Sequence, residues 1–370
     1  MSTPPTPFQH TVDRVNLAEK KLDLGELEAV RLVLRGNSVV DWNRIHLHTH
    51  AEVDEFLRLH LLEPGDPEDE ARLRHVHHEA VTYLQEHLGL HFPDALAHPQ
   101  DVRDVFLAAS QTGGFRRNQI LACVILKLMH VVNHMEAAEL RIYTPLSEAE
   151  LMTMAEARVV EAISHLRRQG FPLVDFYGSR KERHSIMTKL LVKREATAAT
   201  VFDKLRFRII TEKPDHIWAC IAWMHKHLVP INSVIPGQSH NNLLRVDQWL
   251  RSPDNAPYAS QLQGWTLEED DFNPEENPFS GASYRMVNFI VDFPVRVDGA
   301  VDAKHQAEFG KSVFVTIEFQ LMDAQTSLTN EQGENAHELY KERQRAIVAA
   351  RLRKGARWKR RANGKVRGEE

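Results

Sequence analysis

The residues best suited to chemistry lie in four short segments of the second half of the chain. Residues 313–321 alternate β-branched and aromatic side chains, which predicts a strand, and carry one carboxylate, Glu318, in an otherwise apolar run. A buried unpaired charge is too costly to keep, so Glu318 calls for a metal or for an Arg or Lys partner. Residues 178–189 read as a cationic loop opening a helix, where backbone N–H groups and the side chains of Arg180, Lys181 and Lys189 would suit phosphates. Asp203 enters a strand that carries Arg208 five residues later. Tyr284 follows the turn at Gly281 and brings an aromatic ring into the next strand. Two separated acids, a basic loop and a stacking aromatic are the parts of a metal-dependent phosphoryl-type transfer.

These groups need a scaffold, and the hydrophobic spacing suggests one. From about residue 12 to about residue 169 the apolar positions follow helical periodicity. The loops between these helices fall at Pro64-Gly65-Asp66-Pro67 and around Gly113-Gly114. Ser147 followed by Glu150 predicts a capping box at a helix start. After Gly170-Phe171-Pro172 the pattern changes. Strands are expected at 205–211, 284–295 and 312–321, with helices near 185–200 and 215–227, and 251–281 reads as a long loop. The fold class is α/β (α+β): a mixed central sheet flanked by helices, nucleotidyltransferase-like by the resemblance given below, with a helical N-terminal domain. The expected division is 1–170 helical, 171–345 catalytic, and 346–370 a basic, flexible tail.

Composition narrows the partners. A net charge of -5 gives no general reason to bind nucleic acid, but Arg351, Arg353, Lys354, Arg357, Lys359, Arg360, Arg361 and Lys365 make the tail strongly basic. An RNA or ribosome contact through phosphates is the functional reading of that tail. Cys123 and Cys220, both in apolar stretches, suit buried thiols in a reducing compartment. The start of the chain lacks a secretory pattern, and the apolar run 120–132 is too short to span a bilayer, so a cytoplasmic protein is expected. His130 and His134 have zinc-compatible i, i+4 spacing, but Val131 stands where a zinc-protease motif needs Glu. Packed or surface histidines, and no hydrolase activity, are expected there.

Taken together, the segments resemble the synthetase domain of the RelA/SpoT alarmone family, over about residues 170–345. Residues 178–189 are similar to the family's Gly-Arg-x-Lys-x-x-x-Ser-Ile-x-x-Lys loop, with Lys181, Ser185 and Lys189 in place. The resemblance implies that Asp203 binds metal, Arg208 stacks on the ATP adenine, and Tyr284 stacks on the acceptor base. Glu318 and Gln320 match the family's Glu-x-Gln strand. Glu331, Gly333, Ala336, His337, Tyr340, Lys341 and Glu342 match the segment that follows it. The implied activity is Mg²⁺-dependent transfer of the β,γ-diphosphate of ATP to a ribose 3′-hydroxyl, the (p)ppGpp synthesis of the stringent response. Asp203 and Glu318 would be the catalytic and metal-binding acids. Arg180, Lys181, Ser185, Lys189 and Arg208 would hold ATP, and Tyr284, Gln320 and His337 would serve the acceptor.

Departures cluster in the acceptor half. Ser179 replaces the loop's first arginine, Arg285, Met286 and Asn288 replace the polar residues after the tyrosine, and Met322 replaces an arginine. A guanine nucleotide and a tRNA 3′ end therefore both stand as acceptors. A catalytically silent nucleotide- or RNA-binding relative, acting as sensor or scaffold, is the alternative.

Overall fold

The computed structural model describes residues 17–19, 21–35, 46–110, 116–192, 204–245, 249, 251, 284–332, 345–350 and 352–353. Asp203, His337, the stretch 252–281 and most of the basic tail lie outside these residues.

Seven helices precede the first strand: α1 Leu24–Arg35, α2 His50–Leu59, α3 Pro67–Glu86, α4 Asp94–Ala97, α5 Arg103–Ser110, α6 Arg116–Tyr143 and α7 Glu148–Arg168. Their starts follow local chemistry. Asp66 accepts from the N–H groups of Glu68 and Asp69, and Pro67 fills the first helical position of α3, where a missing N–H costs nothing. The expected capping box of α7 forms, with Ser147 accepting from Glu150 N and Glu150 accepting from Ser147 N. The apolar run judged too short to span a bilayer belongs to a helix that is long and apolar enough, 117–143. Here it buries Ala122, Ile125, Leu126 and Leu140 and packs on α3, α5 and the sheet. Cys220 is buried and Cys123 half-buried, and neither is in a disulfide.

The rest of the chain builds the sheet: β1 Leu173–Arg180, α8 Arg183–Val192, β2 Leu205–Thr211, α9 Asp215–His227, β3 His240–Asn241, β4 Val287–Arg296, α10 Ala303–Phe309, β5 Ser312–Asp323 and α11 Ala324–Glu331. Strand order is β1-β2-β5-β4-β3. β2 and β5 are parallel, and the other pairs are antiparallel. The mixed sheet flanked by helices is the architecture expected from the alternation. β1 was not expected. Its residues 178–180, read as part of a loop, are the end of an exposed edge strand. β5 is followed directly by helix α11, which takes in Asn330.

The pleat separates two chemistries. Phe207, Phe319 and Phe289 stand side by side across β2, β5 and β4, fully or almost fully buried. Ring centroids are 5.8 and 5.5 Å apart, and Phe176 of β1 stacks on Phe207 at 5.7 Å. Gly178 lies opposite Phe207, and a Cβ there would meet the ring at 2.8 Å. Glycine is required by that close approach. Helix α7 covers this face, where Glu156 lies beside Gly178 and the Arg158 guanidinium sits 4.6 Å from the Phe293 ring.

Candidate active site

Because successive strand residues point to opposite faces, the residues between the phenylalanines share the other side. Two rungs cross the sheet in register. One joins Tyr177, Arg208, Gln320 and Asn288, and the other joins Ser179, Arg206, Glu318 and Ile290.

The side chains on these rungs form a continuous chain. Arg206 Nε donates to Glu318 Oε2 at 2.6 Å, and Gln320 Nε2 donates to Glu318 Oε1 at 3.0 Å. Arg208 Nη2 donates to Gln320 Oε1 at 3.3 Å, and its Nη1 donates to the Tyr177 hydroxyl at 2.6 Å. The Gln320 amide has one workable orientation here. A carboxylate only accepts and a guanidinium only donates, so the NH₂ must face Glu318 and the oxygen must face Arg208. Glu318 is 5% exposed and Gln320 4% exposed, so water cannot replace these partners cheaply. The cation that Glu318 required is thus Arg206. Arg208 Nε and Asn288 Oδ1 are buried without a hydrogen-bond partner among the described residues.

Tyr284 joins the row from the segment before β4. Two asparagines pin its backbone by pairing like peptide groups. Asn242 donates to Tyr284 O at 2.8 Å and accepts from Met286 N at 2.8 Å. Asn330, at the end of α11, accepts from Arg285 N at 3.0 Å and donates to Arg285 O at 2.6 Å. Burial pushes the Tyr284 phenol above its ordinary value. The charges it feels are those of the row: Arg208 and Arg206 pull it down, while Glu318 and Tyr177 push it up.

The structure therefore brings together Glu318, Gln320, Arg208 and Tyr284 of the residues chosen from sequence. Arg180 is placed elsewhere. It shares the α7-facing side of β1 with Gly178, where its Nη2 donates to Glu156 at 2.6 Å and to Thr153 at 2.9 Å. The position that faces the row is Ser179, and directly across from it stands Arg206. Lys181, half-buried, follows β1 with its N–H on Lys204 O at 2.9 Å, and half-buried Ser185 and Lys189 lie on α8. Asp203 and His337 fall outside the described residues.

Arg206 and Tyr177 were missed. Arg206 carried a usable signal, since it sits two residues before Arg208, on the same face, in a strand that is otherwise apolar as far as Ile210. Tyr177 was hidden by the reading of 178–189 as a loop. His130 and His134 are packed: His134 stacks on Phe314 at 4.1 Å, and His130 Nδ1 lies 3.2 Å from Asn232 Nδ2. Among the described residues no three metal-ligating side chains converge.

No protein-family profile matches this chain, and no curated protein matches it. Among solved structures it is similar to the small alarmone synthetase 2 from Bacillus subtilis, at 14% identity over 56% of this chain and 91% of that one, TM-score 0.27. It is also similar to a GTP pyrophosphokinase family protein from Streptococcus pneumoniae, at 12% identity over 60% and 89%, TM-score 0.30. A third is the small alarmone synthetase 1 from Bacillus subtilis bound to its product pppGpp, at 14% identity over 58% and 93%, TM-score 0.28. At such values the functional reading rests on this chain's own residues.

Proposed function

We propose that the polar face of the sheet is the active site of an ATP-dependent diphosphotransferase of the RelA/SpoT type. The observation that carries this reading is the row itself: a buried carboxylate, two guanidiniums, an amide and two tyrosines on one sheet face, four of them at positions the family motifs select. In the reaction, the 3′-oxygen of a ribose attacks the β-phosphorus of ATP. The bond from that phosphorus to the α,β-bridging oxygen breaks, AMP leaves, and the hydroxyl proton passes to Glu318. Two of Glu318's approximately four lone-pair positions are taken, which leaves others for a proton or a cation.

The donor set suits a hard divalent cation. Mg²⁺ is commonly held by one or two carboxylates together with substrate phosphates, and here Glu318 and Asp203 would hold it. Bound there, it would offset charge on the phosphate oxygens. Lys181, Ser185 and Lys189, after β1 and on α8, would hold phosphates. Arg208 would lie against adenine, and Tyr284 against the acceptor base. Arg180 is left out of this reading, because Glu156 and Thr153 hold it on the opposite face. Arg206 takes the guanidinium place on the rung that Ser179 leaves without one.

Purified protein with γ-labelled ATP, Mg²⁺ and GDP, GTP or bulk tRNA tests the proposal and its acceptor. Label in a small nucleotide supports alarmone synthesis, and label in RNA supports modification of a tRNA 3′ end. A second reading is a silent nucleotide- or RNA-binding relative. It is favoured by the engagement of both Glu318 oxygens within the protein. Equal inertness of wild type and Asp203→Ala toward every acceptor, with nucleotide binding retained, would select it.

A further inference from the structure

A cavity of about 430 Å³ lies between α2, α3, α5, α6, α10 and the start of β5, away from the polar row. Its size falls within the range of small-molecule pockets, roughly 300–1,000 Å³. Aromatic rings from four elements line it: Phe56, Phe106, Phe309 and Phe314. A polar strip crosses it. His60 Nε2 lies 2.8 Å from Asn232 Oδ1, and Asn232 Nδ2 lies 3.2 Å from His130 Nδ1. Arg72, also on the wall, has its Nη1 buried without a hydrogen-bond partner among the described residues. A ligand acceptor would satisfy that donor.

The charges of the wall are already matched. Arg72 pairs with Glu136 at 2.5 Å, and Lys311 pairs with Glu68 at 2.7 Å and Asp69 at 3.2 Å. Burial lowers the His60 ring to about 4 and the His130 ring to about 2, so both are neutral at pH 7. A phosphate brought here would be desolvated and would have to compete with Glu136, Glu68 and Asp69 for the only cations on the described wall. An aromatic box with a neutral imidazole–amide strip instead suits a planar ring with hydrogen-bonding edges.

We propose that this cavity is a second binding site, for an uncharged heteroaromatic molecule of nucleobase to nucleoside size. Isothermal titration with guanosine, adenosine and their 5′-monophosphates tests it, on the full chain carrying Tyr284→Ala to weaken base binding at the polar row. One equivalent of a nucleoside should bind, with its monophosphate weaker by on the order of tenfold. Ala307→Trp, at the exposed rim of the cavity on α10, should block its mouth and abolish binding. Asn232→Leu should weaken binding by on the order of tenfold, through loss of the polar strip. The proposal is overturned if neither nucleoside binds, if Ala307→Trp leaves binding unchanged, or if the monophosphates bind as tightly as the nucleosides.

Discussion

Glu318 has a partner on each carboxylate oxygen, and the two ends of its ion pair are unequally exposed. The Arg206 side chain is 27% exposed, whereas that of Glu318 is 6% exposed. Glu318→Gln therefore leaves a guanidinium that water can reach, at a cost of about 1–3 kcal/mol, and under the proposed function transfer activity should be lost. Arg206→Met leaves a carboxylate that water cannot reach, and should cost more, about 3–5 kcal/mol. Urea denaturation of both variants checks the order, and a smaller loss for Arg206→Met would contradict the assignment of Arg206 as the compensating cation. Retained turnover by Glu318→Gln would reject the proton-acceptor role proposed for it.

At the scale of elements, the phenylalanine row holds three strands in the register that aligns the polar row behind it. Phe319→Ala removes the central ring and should cost about 3–5 kcal/mol. Gly178→Ala places a methyl 2.8 Å from the Phe207 ring, so β1 or the ring must shift, at about 1–3 kcal/mol. Thermal unfolding measures both. The helix cap of α7 is a smaller matter, with Ser147→Ala expected to cost about 1 kcal/mol. Asn330→Ala is different in kind. It frees the backbone beside Tyr284 rather than the core, and under the proposed function it should raise the KM for the acceptor more than the KM for ATP.

For the whole molecule, the seam between α2, α6 and the sheet makes stability depend on pH. Burial lowers His60 and His134 from 6.5 to about 4, and His130 to about 2. The unfolded chain binds protons at these histidines near pH 6.5 and the folded chain does not. The stability they allow is present above pH 6.5 and is lost as pH falls through about 4. Each histidine contributes up to about 1.4 kcal/mol per pH unit in that window. Asp292, raised by burial, acts in the opposite sense, one group against three. The midpoint of thermal unfolding should fall steadily from pH 7 to pH 5, and His134→Phe, which keeps a ring against Phe314, should flatten that slope.

Local pattern determined much of this protein. Alternation in residues 205–211 and 312–321 predicted β2 and β5, and the Ser147–Glu150 pair predicted the start of α7, because each signal lies within a few residues of its effect. The selection of Glu318, Gln320, Arg208 and Tyr284 came from the sequence as well. What faces what was decided only in three dimensions. Strand parity sends Arg180 to Glu156 and leaves Ser179 on the polar side, and parallel pairing of β2 with β5 sets Arg206 against Glu318 across 112 residues of chain. A buried carboxylate demands a cation, but only the register of neighbouring strands selects which one it receives.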